Sequence, residues 1–100
     1  MFVSNISFQV DPTIETAWLN WVKQHFIPNC LATDCFVDNQ LYQLDLAADQ
    51  PPTYTLQLFS KEAAQLAEFQ KKHAETLLSS IAAQWGEQCF HFHTSMKIVD

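Results

Sequence analysis

Residues 11–36 read DPTIETAWLNWVKQHFIPNCLATDCF, and the spacing within them decides how the rest of the chain is arranged. Asp11 reads as a helix cap, because its carboxylate can accept from the first free amides. Pro12 suits the first helical position, where its missing N–H is not needed. Pro28 is expected to end the helix, since a proline pushes the residue before it out of the α region. Between them Ile14, Ala17, Trp18, Trp21, Val22 and His25 recur at helical spacing and share one face. The other elements are placed around that stripe of two indoles and an imidazole.

Upstream, Phe2–Val10 alternates as a half-buried strand does, with Phe2, Ile6, Phe8 and Val10 on one side and Val3, Asn5, Ser7 and Gln9 on the other. Downstream, Cys35–Leu46 reads as a second strand with Phe36, Tyr42, Leu44 and Leu46 inward. Asp38 and Asn39 mark a bulge or bend within it. A loop over 47–52 ends in two prolines, and Thr53–Phe59 follows as the antiparallel hairpin partner, with Tyr54, Leu56 and Leu58 inward. Ser60 is the expected cap of a long helix, Lys61–Gln84, whose apolar stripe is Ala63, Leu66, Ala67, Ala74, Leu77, Leu78, Ile81 and Trp85. Such a helix would be ~36 Å long, so a break near His73–Thr76 is expected. Gly86 ends it. Gln88–Val99 is the last strand, with Phe90, Phe92, Met96 and Ile98 inward and His91, His93, Ser95 and Lys97 outward.

The order strand, helix, strand, strand, helix, strand is the split βαβ or ferredoxin-like pattern. It implies an α+β fold, one domain over residues 1–100, with a four-stranded antiparallel sheet and both helices on one face. The first and third strands belong at the centre. The sheet face away from the helices is expected to collect Val3, Asn5, Ser7, Gln9, Thr53, Thr55, Gln57 and Phe59. From the outer strands it takes Val37, Leu41, His91, His93, Ser95 and Lys97. That surface is mixed rather than charged. It is either solvated or stacked on a second copy to close a barrel, and the second reading predicts a homodimer.

Composition narrows the function classes. With 48% hydrophobic and 13% aromatic residues the chain is globular, not disordered. A net charge of −6 with five Lys+Arg leaves no basic stripe for phosphates, so neither nucleic acid nor an anionic membrane is an expected partner. No apolar run approaches the ~20 residues of a membrane span, and no basic region followed by an apolar run precedes the alternating strand, so no secretory leader is expected. Three cysteines are an odd number without a framework spacing, which suits reduced thiols and a cytoplasmic location. With one glycine, Gly86, turns must use Pro, Asn and Asp.

Trp18-Leu19-Asn20-Trp21, His25-Phe26-Ile27-Pro28, Leu31-Ala32-Thr33 and Phe36, with the later Thr53-Tyr54, Gln57, His73-Ala74, Trp85-Gly86 and Phe92-His93-Thr94, form a pattern that runs nearly the whole chain. It resembles an uncharacterised family of short bacterial proteins known only as a domain of unknown function. More broadly, the chain is similar to the dimeric α+β barrel superfamily. The family pattern has glycine where Asp34 stands and arginine where His93 stands. The narrow family brings no activity with it. The wider resemblance implies a ligand held between sheet and helices, and includes cofactor-less monooxygenases, isomerases and haem-handling enzymes alongside proteins with no known reaction.

The residues suggest their own candidates. His25, at the end of the first helix beside Trp18 and Trp21, is either a structural imidazole near helix carbonyls or a general base at a cleft mouth. Trp18, Trp21 and Tyr54 are core residues or the aromatic wall of a site for a flat apolar ligand. Gln70, inside an apolar stripe, and His73 beside it need polar partners or face that ligand. His91 and His93 are two residues apart on one strand, ~6.7 Å between Cα atoms, and could share a metal only with further ligands, so no metal site is assigned. Cys30 and Cys35 read as buried thiols. No dinucleotide, phosphate-loop or nucleophile-elbow motif occurs, and no cofactor is expected. The resulting expectation is a homodimeric barrel that binds a small apolar or aromatic molecule, with or without turnover. The alternative is a non-catalytic pairing module.

Overall fold

Strand β1 (Phe2–Val10) organises the sheet. In the computed structural model, which describes residues 1–99, it pairs antiparallel with β3 (Thr53–Ser60) on one side and β4 (Cys89–Lys97) on the other, while β2 (Asp38–Gln43) pairs antiparallel with β3. The strand order β2-β3-β1-β4 puts the first and third strands at the centre, as the ferredoxin-like reading expects. The helices cover one face. They are a first helical run (Pro12–Leu31), then α3 (Ala63–Lys72) and α4 (Ala74–Trp85).

The first run begins as expected. Asp11 Oδ1 accepts from the Thr13 backbone N–H at 2.9 Å and from its hydroxyl at 2.8 Å. Pro28, however, does not end it. After a 3₁₀ turn and α1 (Glu15–Trp21), the chain widens into a π turn over Val22–Phe26 and resumes as α2 (Ile27–Leu31). The Ile27 N–H reaches back to the Val22 carbonyl, five residues earlier. That extra residue is inserted just ahead of the proline, whose missing N–H and bulky ring would otherwise disturb a regular α turn. The run stops at Leu31. There the Thr33 hydroxyl donates to the Cys30 carbonyl at 2.7 Å, and Asp34 adopts φ 60°, a left-handed position that glycine fills most easily.

The π turn also sets which face is buried. Residues four apart on an α-helix drift by ~40° per step. The wider turn cancels that drift, so Trp18, Val22, Phe26 and Cys30 all point inward and are at most 1% exposed. Ala17 and His25, expected on the stripe, are exposed. The inward side chains interlock with the sheet. Trp18 meets Phe8 edge-on at 5.1 Å and Tyr54 at 4.8 Å, and Phe26 meets Phe8 at 6.0 Å.

The expected long helix is broken at His73, between α3 and α4. Its cap is Glu62, in a reciprocal box with Gln65, rather than Ser60. Ser60 is buried at the end of β3, where its hydroxyl donates to the Cys35 carbonyl at 2.8 Å.

Both outer strands face the opposite way from the sequence expectation. In β4, Cys89, His91 and His93 pair with Val10, Phe8 and Ile6, and so lie on the helix side. Phe90, Phe92 and Met96 pair with Gln9, Ser7 and Val3 on the open side. Phe90 and Phe92 are 59% and 63% exposed. A one-residue change of register turns every side chain over, and apolar alternation in β4 misleads because its register is set by the turn from Gly86 that seats Cys89 opposite Val10. In β2 the cause is a bulge. The Val37 N–H bonds to the Phe59 carbonyl at 2.8 Å while Asp38 is also registered against Phe59. Two residues against one reverse the alternation after Phe36, so Leu41 joins the core and Tyr42 faces outward.

This arrangement is testable. Phe8→Ala is expected to cost about 3–5 kcal/mol, the usual range for emptying a buried phenylalanine site. Phe92→Ser, measured on dilute protein, should stay within about 0.5 kcal/mol of the parent in urea unfolding. A large loss at Phe92 would restore the inward reading of β4.

Candidate functional site

The layer between sheet and helices is filled by side chains. Trp18, Phe8, Phe26 and Phe69 are each at most 1% exposed, and Phe36 closes on Phe69 at 4.7 Å. Trp18 is therefore a core residue. Its Nε1–H has no oxygen or nitrogen acceptor, and its nearby polarisable group is the Cys89 sulfur, which it weakly favours as thiolate. Burial outweighs that effect and pushes the Cys89 thiol up to about 11. The Cys30 thiol is pushed up to about 12 by burial alone. Both are poor nucleophiles.

Tyr54 lies behind Trp18, and its hydroxyl donates to Glu15 Oε2 at 2.5 Å. Burial, with the carboxylate bond and charge added, pushes this phenol up to about 12. The pair ties β3 to α1 and keeps Tyr54 protonated.

The open space lies outside this core, between the first helical run and α4. One half, ≈ 560 Å³, is lined by Trp21, His25 and Asn29 from the first run and by Ser80, Ala83 and Gln84 from α4. The other half, ≈ 310 Å³, is lined by Asn29, Ala32 and Thr33 and by Lys72, His73, Thr76 and Leu77. Asn29 borders both, so the two depressions adjoin and are taken together as a groove along the first run and α4. Trp21 is the aromatic element of its wall. It is half-buried and rests on Phe26 at 5.6 Å and Trp85 at 6.0 Å. His73 is delivered by the break between α3 and α4 and lies 6.5 Å from the Phe69 ring.

Trp21, His25 and His73 thus come together around one groove, while Trp18 and Tyr54 lie behind it in the core. Gln70 is elsewhere, on the side of α3 toward β4, where its amide bonds to the Ser95 hydroxyl. Asn29, Lys72, Ser80 and Gln84 carry no mark in the sequence that sets them apart from other helix-surface residues, and Thr33 belongs there only to the family-like pattern. The ladder Trp21, His25, Asn29 and Thr33 is legible there at four-residue spacing. The opposing wall depends on how α4 packs.

His91 and His93 are half-buried at the helix-facing edge of β4. His93 Nε2 is 2.7 Å from the buried Ser4 hydroxyl. Among the described residues no group of three or more His, Cys, Asp or Glu is arranged to hold a metal ion, and no helix is long and apolar enough to cross a membrane.

The model of one protein family, a domain of unknown function (DUF4286), matches residues 1–99. No curated protein matches the sequence. Among solved structures, the chain is similar to an ethyl tert-butyl ether d (ethd) family protein from Bacillus halodurans C-125, with TM-score 0.72 and 9% identity over 99% of this chain and 100% of that one. It is also similar to HapK from Hahella chejuensis, with TM-score 0.71 and 13% identity over 99% and 93% of the two chains. A third similar structure is a proposed monooxygenase from Shewanella loihica PV-4, with TM-score 0.56 and 15% identity over 99% and 95%. At these identities the likeness establishes a shared fold.

The β4 histidines carry a pH prediction. Burial, and then the charge of His91, hold His93 below the usual imidazole value of 6.5. Above that value His93 is neutral both folded and unfolded. As pH falls through it, the unfolded chain takes up a proton that the folded chain resists, so stability is lost down to the lower, folded value. Urea midpoints are expected to fall between pH 7 and pH 5, and His93→Gln should reduce that fall. An equal fall in the variant would assign the effect to other groups.

Proposed function

We propose that this chain, which belongs to the family of domains of unknown function DUF4286, works as a homodimeric barrel that binds a small, flat apolar or aromatic compound in the groove between its first helical run and α4. The observation that carries the reading is that one groove gathers Trp21, His25 and His73 while the layer beneath it is solid. The indole supplies a surface for a flat ring, and the imidazoles, amides and hydroxyls supply a few polar anchors. If the bound compound is turned over, His25 is the group placed to take a proton from it. Some similar folds carry enzyme-type descriptions, which supports small-molecule chemistry by analogy alone.

The pairing rests on the open sheet face. Its outer strands present Phe90, Phe92, Met96 and Tyr42, all at least 40% exposed, around the polar centre Asn5, Ser7, Thr55 and Gln57. The positions that project from this face carry one charged residue, Asp38 at a corner, far below the quarter to a third typical of a solvated surface. Nine residues at ~3.3 Å by four strands at ~4.8 Å make a face on the order of 500 Å² in projection. That is near the small end of stable interfaces, roughly 600 Å² per partner, once side-chain relief is counted. A second copy supplies a matching surface by symmetry.

The filled core also favours a second reading, a pairing module with no ligand. It predicts the same dimer and an unoccupied groove. Light scattering is expected to give twice the chain mass for the parent protein. The double variant Phe90→Asp, Phe92→Asp should give the single chain mass with an unchanged circular dichroism spectrum. A parent protein that stays at the single mass at high micromolar concentration would overturn the pairing.

A further inference from the structure

Charge within the groove points to the class of compound it takes. The chain has 11 Asp and Glu residues, and none lines either half of the groove. Two other surface clefts do carry carboxylates, Asp11 and Glu87 in one and Glu15 in the other. The groove has Lys72 and His73 at one end and His25 toward the other, with Trp21 and Leu77 as its apolar lining. In a protein of net charge −6, a groove lined by a lysine and no carboxylate is a favourable place for an anion. Lys72 pairs with Glu68 at 3.2 Å, but both side chains are largely in solvent. Such an exposed pair is weak enough to be exchanged for a bound anion.

The spacing adds a length. The two halves meet at Asn29, and their middles are about two helical turns apart, ~10 Å along the first run. An aromatic group beside Trp21 and an anionic group beside Lys72 and His73 are therefore separate points on one elongated molecule. We propose that the groove binds an aromatic acid with its ring at Trp21 and its carboxylate at Lys72 and His73. This rests on the groove being the ligand site, and it goes further by requiring the negative charge.

The test uses the whole protein with 4-(2-naphthyl)butanoate and the matching alcohol, 4-(2-naphthyl)butan-1-ol, followed by amide shift mapping and tryptophan fluorescence. The acid is expected to bind at least roughly fivefold more tightly than the alcohol, the effect of one partly exposed charge pair. Lys72→Glu should remove that preference, weakening the acid more than the alcohol. Ala83→Trp, at an exposed position on the groove wall, should block both compounds. Equal affinity for acid and alcohol within the groove would overturn the aromatic-acid proposal and leave the groove reading standing. Shifts confined to the open sheet face around Phe92, or no saturable binding of either compound, would overturn both.

Discussion

The contact between Trp18 and the two central strands holds the rest in place. Its indole is closed in by Phe8 of β1 and Tyr54 of β3, at 5.1 and 4.8 Å. Those two residues are directly registered against each other across the sheet. A large rigid side chain on a neighbouring pair fixes the height and rotation of the first helical run. Phe26, about two turns on, repeats the contact with Phe8. The π turn between them is what allows both to point inward ahead of a proline.

That anchoring explains why a groove lies where a buried cavity does not. The deep positions of the run are taken by large apolar side chains, and the layer beneath is close-packed. Trp21 is turned away from the sheet by one helical step, so it can rest on Trp85 and still keep an exposed part. His25 and Asn29 follow at four-residue spacing, outside the core. The break at His73 brings the other wall alongside. The open space in this molecule lies along the seam between helices, and the sheet's free face is left uncovered.

Much of the architecture was legible in the residues. The element order, the central pair of strands, the Asp11 cap and the break near His73 follow from alternation, caps and length, which are local properties. The faces of the outer strands were not legible. Phe90 and Phe92 alternate with histidines, and apolar alternation assigns them to the core. Their orientation depends on the turn that seats Cys89 opposite Val10, a long-range registration. A bulge or bend is expected at Asp38 and Asn39, but its place at Val37–Asp38, which decides the face of every later residue, is defined only by what stands opposite it. In the candidate site, Trp21, His25 and His73 stood out by residue type. Lys72, Ser80 and Gln84 did not, because solvated helix faces use the same residues.

The sequence by itself determined the ferredoxin-like order of elements, the aromatic helix that packs on the sheet and the want of any basic surface. Local periodicity and composition carry that information. Tertiary structure alone decided which side of each outer strand meets the helices, that Pro28 is passed through rather than obeyed, and that three separated side chains border one groove. Each of these depends on contacts between segments distant in the chain, where a shift of one residue reverses a face and no single segment records the outcome.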